Sequence, residues 1–216
     1  MHQETIENYL KTIYHLSDGN SFVVTNKDLA ERLHVIPATV TEAVKKLHAL
    51  KLVEYEKSYG TRLTNQGVKQ ALNIVRRHRI WETYLAQELG FGWDEVHELA
   101  EALEHIKSDK LVQKLAQKIG NPAYDPHGDP IPDEKGRFQK SEFKKLSEAK
   151  IGRTYTLSGV PDHSAAFLKF LDRYKMKIGT TIKVVDIENF DGSMLTICNS
   201  KEVRLSLQVV SNLLVR

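Results

Sequence analysis

Sulfur, long apolar runs and glycine-rich loops are scarce or missing in this sequence. Its single cysteine, Cys198, excludes an internal disulfide framework and is typical of a protein from a reducing cytoplasm. No apolar run approaches the roughly 20 residues that a membrane span needs, and there is no glycine-rich phosphate loop. The amphipathic, early-acidic start MHQETIENYLKTIYHL is unlike a secretory signal. We therefore expect a cytoplasmic protein without a membrane partner.

A strong excess of charge of either sign is also missing. The 216 residues include 31 Lys and Arg against 28 Asp and Glu, which gives a net charge of +3. This balance is compatible with nucleic-acid binding but is too small to indicate it alone. Hydrophobic residues make up 41% of the chain. That content and this length are sufficient for about two or three small domains, each with its own core.

Two short helices joined by a tight break are predicted near the N-terminus. Thr25 and Asp28 form a capping-box pattern that opens the first of them, and Pro37 suits the first turn of the second. Residues 53–63 alternate apolar and polar side chains around a central turn, which predicts a two-stranded hairpin. This order is that of a winged helix-turn-helix, with residues 37–50 as the recognition helix. The alternative is a small helical domain that binds no nucleic acid.

Several residues of this predicted domain are candidates for a DNA-binding surface. Small and hydroxyl-bearing side chains on the first turns of the recognition helix allow a close approach to base edges and thymine methyl groups. Basic side chains and the hairpin tyrosine are placed to contact phosphates, so DNA affinity should fall with salt. The alternative for the lysines is an ordinary solvated surface. The candidates are Pro37, Ala38, Thr39, Thr41, Glu42, Lys45, Lys46, Lys57, Tyr59 and Arg62.

Histidine and glutamate cluster between residues 78 and 105. His78 and Glu82 are four residues apart and share one face of a helix predicted over residues 64–89. A second helix is predicted over residues 93–107, and four of its side chains project within an arc of about 100°. They are His97, Glu101, Glu104 and His105. Imidazoles and carboxylates without sulfur are a ligand mixture that divalent metals take.

The same acidic and histidine residues are also compatible with roles other than a regulatory metal site. A Glu- and His-rich helix face is often simply solvated, and Glu95 and Glu98 show that this helix is acidic elsewhere too. The segment HELAE also resembles the HExxH helix of zinc proteases, with Glu101 in place of the second His, so a metallohydrolase is an alternative. Asp125 and His127 lie one residue apart in a proline-rich loop, where they either hold one ion or merely form a turn.

The remaining segments predict a dimer and a small β domain. The apolar surface of the helices in residues 64–119 exceeds what one small domain buries, which favours a homodimer. Residues 141–150 are charged and predict a linker or a short helix. Residues 151–216 contain strand patterns and one helix pattern, which predict a small barrel of about five strands. The expected fold class is therefore mainly α with a small β domain.

Segments along nearly the whole chain resemble the diphtheria-toxin-repressor family of metal-dependent transcriptional regulators, in its three-domain manganese- and iron-sensing branch. They are ENYLKTIYHL, PATVTEAVKKL, YGTRLTNQG, RHRIWE, VHELAEALEH and DPHGDPIP, followed by a C-terminal part that is similar to the SH3-like domain of ferrous-iron transport accessory proteins. The resemblance implies a winged helix-turn-helix domain at 1–72, a helical dimerisation and metal-binding domain at 73–140, a linker at 141–150 and an SH3-like, FeoA-like domain at 151–216.

The resemblance also implies two neighbouring metal sites. The regulatory site corresponds to His78, Glu101, Glu104 and His105, and the second site corresponds to Glu82, His97, Asp125 and His127. Asp162 corresponds to an additional ligand from the third domain, and Asn8 to a first-helix position that is Met or Asp in relatives. Lys11 stands where some manganese regulators have Glu, which argues against a closely spaced pair of manganese ions.

By the same resemblance the chain is a repressor of metal-uptake genes rather than an enzyme, and it has no small organic substrate. Oxygen and imidazole ligands suit Mn²⁺ or Fe²⁺, with Mn²⁺ slightly favoured, whereas Zn²⁺ and Co²⁺ are expected to bind in vitro. Without metal, clustered Glu82, Glu101 and Glu104 are expected to repel one another. With metal, two recognition helices are held for a palindromic operator in double-stranded DNA. A DNA-binding protein with a vestigial metal face is a further alternative.

Overall fold

Short helices and a hairpin form the N-terminal part of the computed structural model, which describes residues 1–140 and 142–216. Ser141, the first residue of the expected linker, lies outside the described residues. The chain divides into two units, and the division falls within two of its helices. The first unit comprises Met1–His78, Ala102–Ser108 and Pro132–Arg137, and the second comprises Arg79–Glu101, Asp109–Ile131 and Phe138–Arg216.

The first unit contains the predicted helix-turn-helix. Helices α1 (Gln3–Leu16), α2 (Asn26–Leu33) and α3 (Pro37–Ala49) are followed by strands β1 (Val53–Glu56) and β2 (Gly60–Leu63) and by α4 (Asn65–Leu89), which continues into the second unit. The capping box is present, since the Thr25 side chain accepts the N–H of Asp28 and the Asp28 carboxylate accepts the N–H of Thr25. Pro37 occupies the start of α3, as its missing N–H and restricted φ favour.

Apolar residues at helical spacing form the core of the first unit. Leu10 and Ile13 of α1, Leu29 of α2, and Val44 and Leu47 of α3 are all completely buried. The burial of one apolar face of each helix supplies the stability that short helices do not have on their own.

Gly60 allows the hairpin of β1 and β2 to lie close to the segment that precedes α2. Val24 forms an antiparallel bridge with Thr61, so the hairpin pairs with the segment that precedes α2. At Gly60 the backbone has φ of +121°, and a Cβ atom there would lie 2.5 Å from the Val24 carbonyl oxygen. Only glycine fits this approach without displacing backbone.

The second unit continues α4 and adds α5 (Val96–Leu103) and α6 (Asp109–Lys118). Ile80 packs in one cluster with buried residues of α6 and with Ile131. Helix α5 is shorter than the predicted 93–107, so Glu104 and His105 follow its end. Their side chains form contacts with α1 and α4 residues of the first unit, described below, and such tertiary contacts outweigh local helix preference.

The C-terminal part of the second unit is an antiparallel sheet with two short helices. Its elements are β3 (Lys144–Lys145), a 3-10 helix (Leu146–Glu148), β4 (Thr154–Gly159), α7 (Ala165–Arg173), β5 (Thr181–Ile187), β6 (Met194–Cys198), β7 (Lys201–Leu205), α8 (Leu207–Ser211) and β8 (Leu214–Val215). The strand order is β3-β8-β4-β5-β6-β7. The sheet thus has one more strand than expected, because β3 pairs with β8 inside the segment predicted as a linker.

The predicted fold class, mainly α with a small β domain, is confirmed. Within residues 1–140 and 142–216, no helix has the length and apolar character required to cross a membrane.

Candidate metal centres and nucleic-acid surface

The first unit gathers charged side chains around a completely buried carboxylate, that of Glu104. Oxygen Oε1 of Glu104 accepts a hydrogen bond from Lys11 Nζ at 2.6 Å. Oxygen Oε2 lies 2.7 Å from His78 Nδ1, and because a carboxylate only accepts, Nδ1 must carry the proton. We call Glu7, Lys11, His78, Glu104 and His105 the first cluster.

His105 is oriented by Glu7, a residue that was not among the candidates from the sequence. The Nδ1–H of His105 donates to Glu7 Oε2 at 2.8 Å, which leaves the lone pair on Nε2. That Nε2 atom lies 3.8 Å from Glu104 Oε1. A carboxylate that holds the remote nitrogen of an imidazole is a common feature around metal-binding histidines. The i, i+4 spacing of Glu7 and Lys11 on α1 is the sequence signal that could have identified this position.

Arg77 contributes to the charge balance of Glu7. Its guanidinium lies 3.3 Å from Glu7 Oε1. Burial acts to raise the pKa of Glu7, but the hydrogen bond from His105 and the charge of Arg77 outweigh it, and the pKa of this carboxyl is lowered overall. Glu7 is therefore ionised at neutral pH.

Asn8 of α1 is the first-helix position that the resemblance implies as a ligand. The side-chain oxygen of Asn8 is buried and has no hydrogen-bond partner among the described residues. A buried amide oxygen without a donor costs free energy, whereas a cation bound to it would remove that cost. Glu104 Oε1 and His105 Nε2, which lie 3.8 Å apart, are donor atoms that fit a divalent ion of the oxygen- and nitrogen-preferring kind.

Lys11 changes the expected electrostatics of this cluster. From the sequence, Glu104 was expected to be repelled by neighbouring carboxylates when no metal is bound. In the structure its two oxygens contact the Lys11 ammonium and the His78 imidazole. The charge of the Glu104 carboxylate is therefore already balanced by the Lys11 ammonium when no metal is bound.

The second unit contains a separate buried cluster, which we call the second cluster: Glu82, Asp125 and His127. One ligand atom from each residue lies within 4.8 Å of the others, and all three residues are buried. Glu82 belongs to α4, while Asp125 and His127 lie on the proline-rich loop. The D-P-H segment therefore does more than form a turn, since it brings both of its polar side chains to Glu82.

His127 directs one ring nitrogen at the acidic side chains of this cluster and the other at a backbone carbonyl. Its Nε2 lies 2.7 Å from the carbonyl oxygen of Trp93, so Nε2 carries the proton. Its Nδ1 is buried without a hydrogen-bond partner among the described residues, 3.8 Å from Glu82 Oε2 and 4.0 Å from Asp125 Oδ1. Burial lowers the pKa of His127, but the Glu82 carboxylate raises it and prevails. Nδ1 thus faces two acidic side chains, whose charge attracts a proton or, in its place, a metal cation.

Asp125 is held in place by the loop itself. Its Oδ1 accepts the backbone N–H groups of His127 at 2.8 Å and Asp129 at 3.0 Å. Burial raises the pKa of Asp125 to about 8, and the nearby charges of Glu82 and Asp129 act in the same direction while Arg79 opposes them. At neutral pH, Asp125 is therefore largely protonated in the absence of a cation.

His97 and Glu101 of α5 lie beside the second cluster. His97 Nδ1 is 3.2 Å from Glu82 Oε1, and its Nε2 is 3.6 Å from Glu101 Oε1. Both side chains are about four-tenths exposed, at 42% and 41%. The structure thus brings His97 to Glu82, as the resemblance implied, and shows Glu101 paired with His97.

Asp162 occupies a different setting from the one that the resemblance implied. Its carboxylate accepts the N–H of Ser164 at 2.9 Å in the exposed turn before α7. The next residue, His163, stacks on His127 with ring centroids 4.4 Å apart, and its Nε2 is buried without a hydrogen-bond partner among the described residues. His163 was missed in the sequence because the resemblance pointed to the aspartate one position earlier.

The candidate DNA-binding residues lie mostly on the exposed surface of the first unit. Pro37, Ala38, Thr39, Glu42, Lys45, Lys46, Lys57, Tyr59 and Arg62 are exposed. Thr41 is half-buried, and its hydroxyl donates to the Pro37 carbonyl oxygen and accepts from Asn26 Nδ2, both at 3.0 Å. Thr41 thus ties α2 to α3. Glu42 forms a 3.0 Å ion pair with Lys45, which neutralises the acidic group on the recognition helix.

Together, a winged helix-turn-helix and clustered imidazole and carboxylate groups define a DNA-binding protein of the metal-dependent class. Three family models match along the chain: the N-terminal DNA-binding domain of iron-dependent repressors at residues 1–61, their metal-binding and dimerisation domain at residues 64–133, and the FeoA domain at residues 144–216.

Known repressors are also similar to this chain in sequence and in structure. A solved manganese-dependent transcriptional repressor in complex with manganese has 33% identity and a TM-score of 0.85, covering 97% of this chain and 98% of that one. ScaR with bound Zn²⁺ has 33% identity and a TM-score of 0.77, covering 98% of both. The iron-dependent repressor IdeR of Mycobacterium leprae is 29% identical over 182 residues, 84% of this chain and 70% of its own length. The chain belongs to the iron-dependent repressor family, that of the diphtheria toxin repressor, and is a metal-dependent DNA-binding transcriptional regulator.

Proposed function

We propose that this protein represses metal-uptake genes with Mn²⁺ or Fe²⁺ as its co-repressor. The observation that carries the proposal is the buried Nδ1 atom of His127, which faces Glu82 and Asp125 and has no hydrogen-bond partner among the described residues. Oxygen and imidazole donors without sulfur favour Mn²⁺ and Fe²⁺, with Mn²⁺ slightly ahead. Zn²⁺ and Co²⁺ are expected to occupy the same donors in vitro, because they rank higher in the general affinity order.

We further propose how the clusters hold metal. In the second cluster the ligands are Glu82, Asp125 and His127, with His97 and His163 as the neighbouring imidazoles and His163 in the place expected for Asp162. In the first cluster they are Glu104 and His105, with His78 beside them. Asn8 and Glu101 remain proposed ligands of the first site on the resemblance alone. When bound, a divalent ion supplies the positive charge that keeps the buried carboxylates ionised.

Two copies of the chain are proposed to bind a palindromic operator in double-stranded DNA. Leu89, Phe91 and Leu99 of the second unit are large apolar side chains that stay exposed in the single chain, at 56%, 40% and 37%. They lie in the segment matched by the family's dimerisation domain. A two-fold dimer presents two recognition helices, and it suits an operator with the same symmetry. Because the operator and the sensed ions occur there, we place the protein in the cytoplasm.

The proposed domains are close to those expected from the sequence. The winged helix-turn-helix extends to about residue 72 and the metal-binding and dimerisation domain to about residue 140. The third domain includes β3 and therefore begins no later than Lys144, because β3 pairs with β8.

The proposal is tested by DNA binding at constant ionic strength, since salt alone changes affinity. We expect Mn²⁺ to increase operator affinity of the natural protein, and Glu104→Ala and His127→Ala to abolish this increase. Because Mn²⁺ and operator affinities are linked reciprocally, operator DNA should also tighten Mn²⁺ binding. Glu202→Ala, an exposed carboxylate on β7, is the control. Operator affinity that is the same with and without Mn²⁺ would contradict the proposal.

A further inference from the structure

The Lys11 ammonium occupies the same carboxylate oxygen that faces the free lone pair of His105. Glu104 Oε1 is 2.6 Å from Lys11 Nζ and 3.8 Å from His105 Nε2. The other oxygen of Glu104 is 2.7 Å from His78 Nδ1. Both oxygens of this completely buried carboxylate are therefore engaged by cationic or N–H groups of the chain itself.

Burial makes this pair unlike an ordinary surface ion pair. Lys11 is 8% exposed and Glu104 is 0% exposed. A buried carboxylate that loses a positive partner is strongly destabilised. Lysine is also a point charge on a flexible stem, which can withdraw without rearrangement of the helix that carries it.

A divalent ion cannot share this oxygen with the ammonium at ordinary ligand distances. Positive charges a few ångströms apart repel each other strongly in a site of low water content. Metal binding at Glu104 and His105 is therefore an exchange, in which one ammonium leaves and one divalent cation enters.

We infer that Lys11 is the resident counter-ion of the first cluster. This inference rests on the function proposed above. Its ammonium neutralises Glu104 in the metal-free protein and must leave that carboxylate before a divalent cation binds there. Lys11 thus sets the metal concentration at which the first cluster fills. It also stabilises the folded metal-free protein, because without it the buried Glu104 carboxylate would lose its positive partner.

Loss of this native ion pair should improve ligand binding, whereas loss of most native contacts weakens it. Lys11→Met keeps the length of the side chain and removes its charge, whereas Lys11→Arg keeps the charge. Lys27→Met is the matched control, since Lys27 is an exposed lysine of α2, with its side chain 81% exposed. All variants are prepared in an Asp125→Ala, His127→Ala background, so that the first cluster alone is observed.

The measurement is Mn²⁺ binding followed by the loss of the electron paramagnetic resonance signal of free Mn²⁺. We expect Lys11→Met to bind Mn²⁺ at least about tenfold more tightly, as removal of a unit charge at contact distance implies. Lys11→Arg and Lys27→Met should leave the affinity unchanged. In parallel, Lys11→Met should lower the Tm of the metal-free protein and leave the Tm of the Mn²⁺-saturated protein unchanged.

A purely structural lysine gives the opposite result, since its loss would weaken or leave unchanged the binding of Mn²⁺. Either outcome in a folded Lys11→Met protein overturns the inference. Lys11→Gln, which retains a hydrogen-bond donor for Glu104, replaces Lys11→Met if the latter does not fold without metal. If the background protein binds no Mn²⁺, or binds Mn²⁺ that Glu104→Ala does not remove, the first cluster is not a metal site, and both the inference and that part of the proposed function fail. If it binds Mn²⁺ with an affinity indifferent to Lys11, only the inference fails.

Discussion

The imidazole of His163 stacks on that of His127, with ring centroids 4.4 Å apart and an interplanar angle of 22°. His127 belongs to the proline-rich loop, whereas His163 precedes α7 of the C-terminal sheet domain. Burial lowers the pKa of His163, and the positive charge of a protonated His127 lowers it further. His163 is therefore neutral near pH 7, in the form that can ligate a metal.

Replacement of His163 by Phe should separate stacking from ligation. His163→Phe keeps an aromatic ring against His127 but removes both nitrogen atoms. We expect Mn²⁺ affinity at the second cluster to fall about tenfold, as for other groups around metal sites. The absorption bands of bound Co²⁺ should change as well. The Asp162→Asn variant is the control, and a spectrum altered by Asp162→Asn but not by His163→Phe would contradict our assignment.

The raised pKa of Asp125 makes the stability of the metal-free protein depend on pH. The ordinary value is 3.8, and burial raises it to about 8 in the folded chain. The folded state therefore binds this proton more tightly than the unfolded state. The resulting stabilisation is complete below about pH 4 and is lost as the pH rises through about 8.

Urea unfolding in the presence of a chelator measures this effect. Asp125→Asn remains neutral at all pH values, so its free energy of unfolding should rise relative to that of the natural protein between about pH 5 and about pH 8. The control is Asp133→Asn, an exposed carboxyl whose pKa is lowered to about 2 by hydrogen bonds from Arg137. A difference between Asp125→Asn and the natural protein that does not vary with pH would refute the burial argument.

Lys46 should contribute to DNA affinity through phosphate contact. It is exposed on α3, the helix that is expected to enter the major groove. We expect Lys46→Ala to weaken binding equally for different DNA sequences and to reduce the slope of log affinity against log salt by about one. Lys201→Ala, an exposed lysine of the C-terminal sheet, should leave the slope unchanged. A sequence-dependent loss would instead show that Lys46 contacts bases.

Gly60 should be more sensitive to substitution than other glycines with positive φ. Its φ is +121° and a Cβ would lie 2.5 Å from the Val24 carbonyl oxygen. Gly90 has φ of +73° with nothing within 4 Å of its Cβ position. Gly90→Ala should therefore cost only the conformational penalty of about 1–2 kcal/mol. Gly60→Ala should cost more in thermal unfolding and should also weaken DNA binding, and equal losses would contradict the clash.

Local sequence patterns were sufficient to predict the helices and the hairpin. The Thr25 capping box and Pro37 specify where α2 and α3 begin, because caps act on neighbouring backbone atoms. The end of α5 could not be predicted in the same way. Glu104 continues a helical pattern in the sequence, but its side chain is engaged by Lys11, which is 93 positions away.

The sequence predicted which residues are candidate ligands, but not which of them lie together in the structure. His97, Glu101, Glu104 and His105 follow one helical face in the sequence. In the structure His97 contacts Glu82 and Glu101, whereas Glu104 contacts Lys11 and His105 contacts Glu7. The assignment of Asp162 shows the same limit. In the structure the Asp162 carboxylate accepts the N–H of Ser164, while the ring of the adjacent His163 stacks on that of His127.

By itself the sequence determined the order of the helices and strands, the mixture of oxygen and imidazole donors, and membership of the metal-dependent repressor family. Each of these depends on residue type and short spacing. Only the tertiary structure decided which donors meet, that Lys11 contacts Glu104, and that Nδ1 of His127 faces Glu82 and Asp125. Those facts depend on side chains from distant segments, and on burial, which converts small differences in distance into large differences in electrostatic free energy.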